Sequence, residues 1–484
     1  MAITNSQDDS TLVSFGYKPE LKRTMGSFSS FALAFSMISV TTTVFTLFPQ
    51  PFQQIGGVAI WLWLPCIAGV LLIAAVYGHL AVRLPITGYA YHWASRLVNP
   101  HFGWFTGWNA MLCTFCGSAS IAVALGTVFA PTFWDNSSRG NVITLAVGGI
   151  VVAVIVNIVS LQLTARINNL GAGAELVGTV GLSLILGIGL AFFSNKQGPA
   201  VLFQSGSSTG AAVTITAIAT ALLLPVWTLA GWEGAADLAE ETHDPRKVAP
   251  RAMMRAVIIS GITGVATFAI FAMAIPGTIA DTVNATDKNP MISIFEYHFG
   301  SAGGFILQVV AFTGMFSCLL ANVTVATRTC YALSRDKLLP FSSALAKVSK
   351  KSQVPTRAVL LAGAWATGVT FLSSGIAAQV TGIVSVVLYV TYGLSLLSAY
   401  LGTKSQKIPV APAGYFDLSK YLSLLCVIGM AWSLVVIGAM VLPSSSFPVL
   451  RTTVIFELIA VLWWALVLRK KLNSGQAGPN MIRT

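Results

Sequence analysis

Apolar and polar positions in this chain are sorted into long blocks, not into the short alternations of soluble helices or strands. Twelve mostly apolar runs lie at 27–48, 58–82, 104–130, 141–162, 168–194, 212–239, 254–276, 303–330, 358–375, 378–403, 421–442 and 452–469. Each is close to the roughly 20 residues that a bilayer-spanning helix needs. Outer-membrane barrels instead alternate apolar and polar residues over about ten positions, a pattern absent here. The blocks predict an all-α integral membrane protein of twelve transmembrane helices. Residues 1–25 are polar and lack an apolar signal core, so they are expected to form a retained N-terminal tail and not a signal peptide.

Composition narrows the class further. The 484 residues are 55% hydrophobic and only 9% charged, whereas soluble domains carry about 25% charged residues. A soluble enzyme, a nucleic-acid-binding protein and a disordered chain are all excluded. The net charge of +12 is therefore read by position. If both termini are cytoplasmic, only Arg139, Lys196, Lys288 and Arg451 of the 28 basic residues fall outside. That asymmetry obeys the positive-inside rule and agrees with an even number of spans. The expected location is the cell (plasma or inner) membrane, multi-pass, with no nucleic-acid partner.

Chemical motifs are sparse. The six cysteines lie in or beside spans, and Cys113 and Cys116 form a CxxC that reads as small residues allowing close helix packing. No metal-ligand spacing, phosphate loop or nucleophile–base set occurs, so neither an enzyme nor a cofactor is expected. Asn136-Ser137-Ser138 and Asn284-Ala285-Thr286 are glycosylation triplets in loops expected outside.

The informative residues are acids at membrane depth: Glu175, Glu233, Asp237 and Glu457. Such groups usually mark a pathway, a proton relay or a paired counter-ion. Glu457 lies near a span end, where it can simply reach the interface. Glu233 sits in LLLPVWTLAGWEGAAD, where Gly231 and Gly234 bracket Trp232-Glu233 and Pro225 lies upstream. Glycine and proline favour a break, and broken backbone is tolerated in a membrane only where it lines a cavity. Trp227, Ala230, Gly231, Trp232 and Glu233 are thus candidate binding residues. The first span carries Ser36, Ser39, Thr41, Thr42 and Thr43, whose hydroxyls compete for backbone hydrogen bonds; they serve either a ligand or helix packing.

Four blocks, taken together, resemble the amino acid–polyamine–organocation superfamily. They are FGYKPELKRTMGSFSSFA (15–32), GHLAVRLPITGYAYHWASRLVNP (78–100), GWEGAADLAEETHDPRKVAPRAM (231–253) and TRTCYALSRDKL (327–338). The opening block is similar to the branch containing GABA and choline permeases. The resemblance implies ten core helices in two inverted repeats of five plus two extra helices. The domains are then a tail at 1–25, a core at 26–403 with repeats at about 26–195 and 212–403, helices 11–12 at 404–470, and a tail at 471–484. Substrate is expected at mid-membrane between broken helices 1 and 6. The family's glycine-rich break in helix 1 falls on Thr41-Thr42-Thr43, which contain no glycine. Helix 3 contributes a wall of Cys113, Thr114, Gly117, Ser118 and Ile121. Glu175 stands where some proton-coupled members carry a lysine, so it is expected to couple protons, with Asp237, or to replace a coupling ion by a structural hydrogen bond. Glu240, Glu241, Arg246, Arg335 and Asp336, with Arg328, are expected to form an inner-gate cluster.

The expected function is a secondary active transporter that imports an amino acid or small amine, with H+ as the coupling ion. The alternatives are a substrate–product exchanger and a choline, ethanolamine or polyamine permease. A zwitterionic amino acid or ω-amino acid ranks before a simple amine. The expected partners are the small-molecule substrate and the lipid bilayer, and the chain is expected to be a monomer or homodimer.

Overall fold

The computed structural model describes residues 2–134, 136, 138–285, 288–372, 374–443 and 446–479. Both glycosylation triplets, the tail beyond residue 479 and Arg483 lie wholly or partly outside these residues. Among the described residues, ten helices are long and apolar enough to cross a membrane. The segments, in chain order, are α1 (Ala2–Ser14), α2 (Ser27–Ile38), α3 (Val40–Leu47), α4 (Trp63–Arg83), α5 (Tyr89–Leu97), α6 (Pro100–Trp134), α7 (Arg139–Val159) and α8 (Leu161–Gly189). They continue with α9 (Ile215–Thr228), α10 (Gly234–Asp237), α11 (Pro245–Ala274), α12 (Pro290–Arg335, interrupted at Gly300), α13 (Thr356–Thr370), α14 (Ser374–Lys404), α15 (Leu422–Val441) and α16 (Phe447–Asn473).

Every apolar run becomes helix, because backbone groups in lipid must be satisfied within their own segment. Two runs fall short of a continuous span. The sixth is divided into α9 and α10, and the ninth forms the 15-residue α13. Others outrun their hydropathy. α6 reaches 35 residues because it continues about one turn beyond its apolar run at each end, and the 46 residues of α12 are two helices joined at Gly300, which takes φ 73°, ψ 178°.

Burial sorts the helices into a centre and a rim. The apolar windows of α2–α3 and α6 are 83% and 89% buried by protein, against 22% for α7 and 17% for α16. The first span and α6 are therefore central, and α7 and α16 present Ile, Val and Leu side chains outward to lipid. At one end, Arg83 closes α4 with an ion pair to Asp417 at 2.7 Å. The Ser419 hydroxyl and amide also donate to Asp417, holding its carboxyl down to about 2.

Residues 1–25, expected as a plain tail, contain the polar helix α1 and dock on the bundle. Arg23 pairs with Asp9 at 3.0 Å, Asp8 accepts from the Asp244 amide, and Thr24 and Met25 donate to the Glu241 carbonyl. Hydropathy was blind to this helix because its sequence is polar; beside the polar contacts, its Leu12 packs with Tyr17 and Ile86.

Candidate functional site

Both central breaks follow from local chemistry. In the sixth span, α9 ends at Thr228, Leu229–Glu233 are unwound, and Gly231 takes φ 102°. A Cβ on Gly231 would come within 2.9 Å of the Met37 Cβ and 3.1 Å of the Met37 carbonyl oxygen. Gly231→Ala is accordingly expected to cost about 1–3 kcal/mol through strain at a positive φ. Thermal melting together with solute binding checks this; an unchanged melting temperature contradicts it.

In the first span the break falls on Ser39 and not on Thr41–Thr43. Ser39 adopts φ 37°, ψ 86°, and its side chain accepts from the Thr42 amide at 3.1 Å. Serine is a preferred helix cap, so its hydroxyl starts α3 without glycine. The three threonines then continue as ordinary helix. Thr43 returns its hydroxyl to the Ser39 and Val40 carbonyls.

Between the breaks lies a cavity of about 40 Å³ (space open to the centre of a water molecule). At 10–15 Å³ per water, that is room for about three water molecules. Its polar lining comes from Thr42 and Thr43 of α3, Cys113 and Thr114 of α6, Glu233 after the second break, and Cys318 and Asn322 of α12. Met37, Ile38, Trp227, Ala230 and Gly231 complete the two breaks, and Gly117, Ile121, Val384 and Leu388 the walls.

The lining has a consistent polarity. Hydrogens of Thr43 and Thr114 go to helix carbonyls, and those of Cys113 and Cys318 point to the Val384 and Met37 carbonyls. Ser39 gives its hydrogen to Glu175, so in the Ser39–Thr42 contact at 2.7 Å Thr42 is the donor. These groups offer the cavity lone pairs. Glu233 adds a carboxylate, 4% exposed, which accepts from the Tyr392 hydroxyl at 2.8 Å and has no ion pair among the described residues. Among the described residues, no Lys, Arg or His lines the cavity. The C-terminal ends of α2 and α9, the negative ends of their dipoles, also face it.

Glu175 lies on the other side of the first break. It begins a single π-helical turn, Glu175–Thr179, inside α8. Its Oε1 accepts from the Thr41 amide at 2.9 Å and the Ser39 hydroxyl at 3.2 Å, and Thr179 meets the Thr41 hydroxyl at 2.8 Å. Oε2 is buried without a hydrogen-bond partner among the described residues. Glu175 is thus tied by two hydrogen bonds to the first break, and the chain Thr42–Ser39–Glu175 links the carboxyl to the cavity.

Several expected site residues fall elsewhere. Ser39 and Thr41 face Glu175, not the cavity. Ser118 stands behind the wall and donates to Asn322 at 3.0 Å. Trp232 is fully buried and stacks on Tyr392, ring centroids 5.3 Å apart. Asp237, grouped with Glu175 on sequence, instead accepts from the Gly88 amide at 2.7 Å and the Thr329 hydroxyl at 3.1 Å, in the gate layer. Glu457 meets Asn109 at 3.4 Å near the rim. Asn322 was not foreseen: nothing in the run LLANVTVA marks that amide, and only the approach of α12 to α6 places it.

Below the cavity, on the side carrying α1, ion pairs close the bundle. Arg328 grips Glu241 with two hydrogen bonds of 3.0 and 2.8 Å, both side chains essentially inaccessible. Arg335 grips Glu240 with two of 2.9 Å, and Glu240 also accepts from the Thr87 amide. Asp336 accepts from the Tyr17 and Tyr91 hydroxyls instead of forming an ion pair; burial pushes its carboxyl above the usual range. Arg246 makes no ion pair among the described residues, so it is not a member of this cluster: the cation that pairs with Glu241 is Arg328, brought down by α12.

Two spans broken at mid-depth around a buried polar cavity, with ion pairs sealing one side, define a membrane transporter and not an enzyme. The chain belongs to the amino acid permease family, whose profile matches residues 25–466. It is 25% identical over 479 residues to the amino-acid permease BAT1 of Arabidopsis thaliana, covering 93% of this chain and 91% of the relative. It is 27% identical over 411 residues to an amino-acid permease of Neurospora crassa, covering 80% and 75%. A putative polyamine transporter of Candida albicans is 23% identical over 384 residues, covering 73% and 66%.

Proposed function

We propose that this permease imports a small amine-bearing solute, an amino acid or amine, by alternating access, driven by proton symport, with both termini on the cytoplasmic side of the cell membrane. The observation that carries this reading is the cavity itself: a buried carboxylate without a cationic partner, surrounded by lone pairs, is complementary to a solute ammonium. Trp227 adds an aromatic face for the cation. The Arg328–Glu241 and Arg335–Glu240 pairs act as the cytoplasmic gate, closed in this conformation.

Coupling is assigned to Glu175. A proton on Glu175 would replace an accepting oxygen with a donor and loosen its hold on Ser39 and Thr41, the hinge of the first span. The Thr42–Ser39–Glu175 chain carries the state of the cavity to that hinge.

A thermal-shift screen of amino acids and amines on purified protein, followed by uptake into proteoliposomes, tests the reading. An inside-alkaline gradient is expected to drive accumulation of whichever solute stabilises the protein. Counterflow without any response to the gradient would instead indicate an exchanger. Glu175→Gln is expected to abolish gradient-driven accumulation while leaving binding measurable; intact pH dependence in that variant removes Glu175 from coupling.

A further inference from the structure

We infer that the cavity prefers a cationic amine with no carboxylate on the amine-bearing carbon, because Glu175 of the protein itself occupies the seat that would hold a solute carboxylate. The inference rests on the reading of the cavity as the substrate site, and it specifies the substrate class.

A helix broken inside a membrane exposes the amide donors and positive dipole end of its second half, which is an anion-binding position. In this chain α3 supplies that end, and its donors are already engaged. The Thr41 amide donates to Glu175 Oε1 at 2.9 Å, the Thr42 amide to the Ser39 hydroxyl oxygen at 3.1 Å, and the Thr43 amide to the Ser39 carbonyl at 3.2 Å. Val40, which precedes them, does not line the cavity. Glu175 is 1% exposed, and a second contact between the Thr41 and Thr179 hydroxyls ties the same two segments, so an entering anion meets a seat already filled by the protein's own carboxyl.

The lining side chains offer no second seat among the described residues, and at the second break the Gly234, Ala235 and Ala236 amides already donate to the Gly231, Trp232 and Glu233 carbonyls. The cavity lining contains no cationic side chain, and its hydroxyl and thiol hydrogens point back into the protein. The remaining side-chain donors are neutral, the Asn322 amide and the Trp227 indole. An α-amino acid that placed its ammonium on Glu233 would hold its own carboxylate two bonds away, in a water-poor space already carrying a carboxylate. A plain amine satisfies Glu233 without that opposition.

The test compares matched pairs that differ only by this carboxylate, ethanolamine against serine and putrescine against ornithine, by calorimetry on the purified full-length protein. At least tenfold tighter binding of the amine in a pair is expected. Equal or tighter binding of the amino acid overturns the inference and leaves the cavity reading standing. If no member of either pair binds, and Glu233→Gln alters binding of none of the other amines and amino acids in the panel, the cavity reading falls and this inference falls with it. Glu175→Ala, which frees the Thr41 amide, is expected to narrow the preference at least threefold, with a monodisperse gel-filtration peak as its folding control. An unchanged preference in a folded variant also overturns the inference. The wild-type comparison stands even if this variant does not fold.

Discussion

Glu233→Gln is expected to weaken binding of an amine solute by about 2–5 kcal/mol, roughly 30-fold or more in Kd. The size of the effect follows from the isolation of the carboxylate. Glu233 is buried, it is the one carboxyl side chain among the described residues lining the cavity, and the surrounding hydroxyls and thiols contribute lone pairs but no charge. Glutamine keeps the shape and can still accept the hydrogen bond from Tyr392, so the fold is expected to survive and the loss to appear in affinity. Calorimetry of variant and wild type with the same amine decides it. Unchanged affinity would mean that the ammonium is not held by Glu233.

The second large effect is expected at the gate. Arg328→Met leaves Glu241, 0% exposed, as a buried charge without its partner. Breaking one side of such a pair costs about 3–5 kcal/mol, whereas replacing both partners with apolar residues is often nearly neutral. On the proposed alternating-access reading the cost falls on the closed conformation, because α12 would separate from the segment carrying Glu241 for the gate to open. A shift of this size approaches the roughly 5.5 kcal/mol that takes a two-state equilibrium from 1:99 to 99:1. Labelling of the native Cys330, which is inaccessible on the gate helix here, is expected to accelerate strongly in Arg328→Met and to return toward the wild-type rate in Arg328→Met/Glu241→Leu. Equal labelling in all three proteins would show that the pair does not hold the gate.

The spans were legible because the cost of placing a residue in lipid adds up locally. A window of about 20 residues contains the information needed, whatever the rest of the chain does. The acids at depth were legible for the same reason, since one Glu in an apolar run stands out without any knowledge of its partners. The break in the sixth span was also local: Gly231 takes φ 102°, which glycine allows, and Gly234 and the upstream Pro225 stand beside it in sequence. The break in the first span was located two residues too far along. No glycine marks it, and the left-handed residue is a serine that becomes tolerable through the cap it gives Thr42 and the hydrogen bond it gives Glu175.

What lay beyond the sequence were pairings between segments far apart in the chain. Asp237 and Glu175 look equivalent as buried acids. The structure gives one a loop amide and a threonine in the gate layer, and the other the hinge of the first span. Arg246 and Arg328 look equally suited to pair with Glu241, but only α12 brings its arginine into reach. Asn322 has no distinguishing neighbour in sequence and reaches the cavity because α12 packs beside α6.

The sequence by itself determined that this protein is an all-helical membrane protein, which side chains are costly enough at depth to need a reason, and where the sixth span breaks. Each of these depends on the transfer of residues from water to lipid or on backbone conformation within a few positions. The tertiary structure decided which of those costly groups lines the cavity, which is tied to the break in the first span and which is held in a buried ion pair, because a buried polar group is placed by the partner that satisfies it, and that partner lies on another helix.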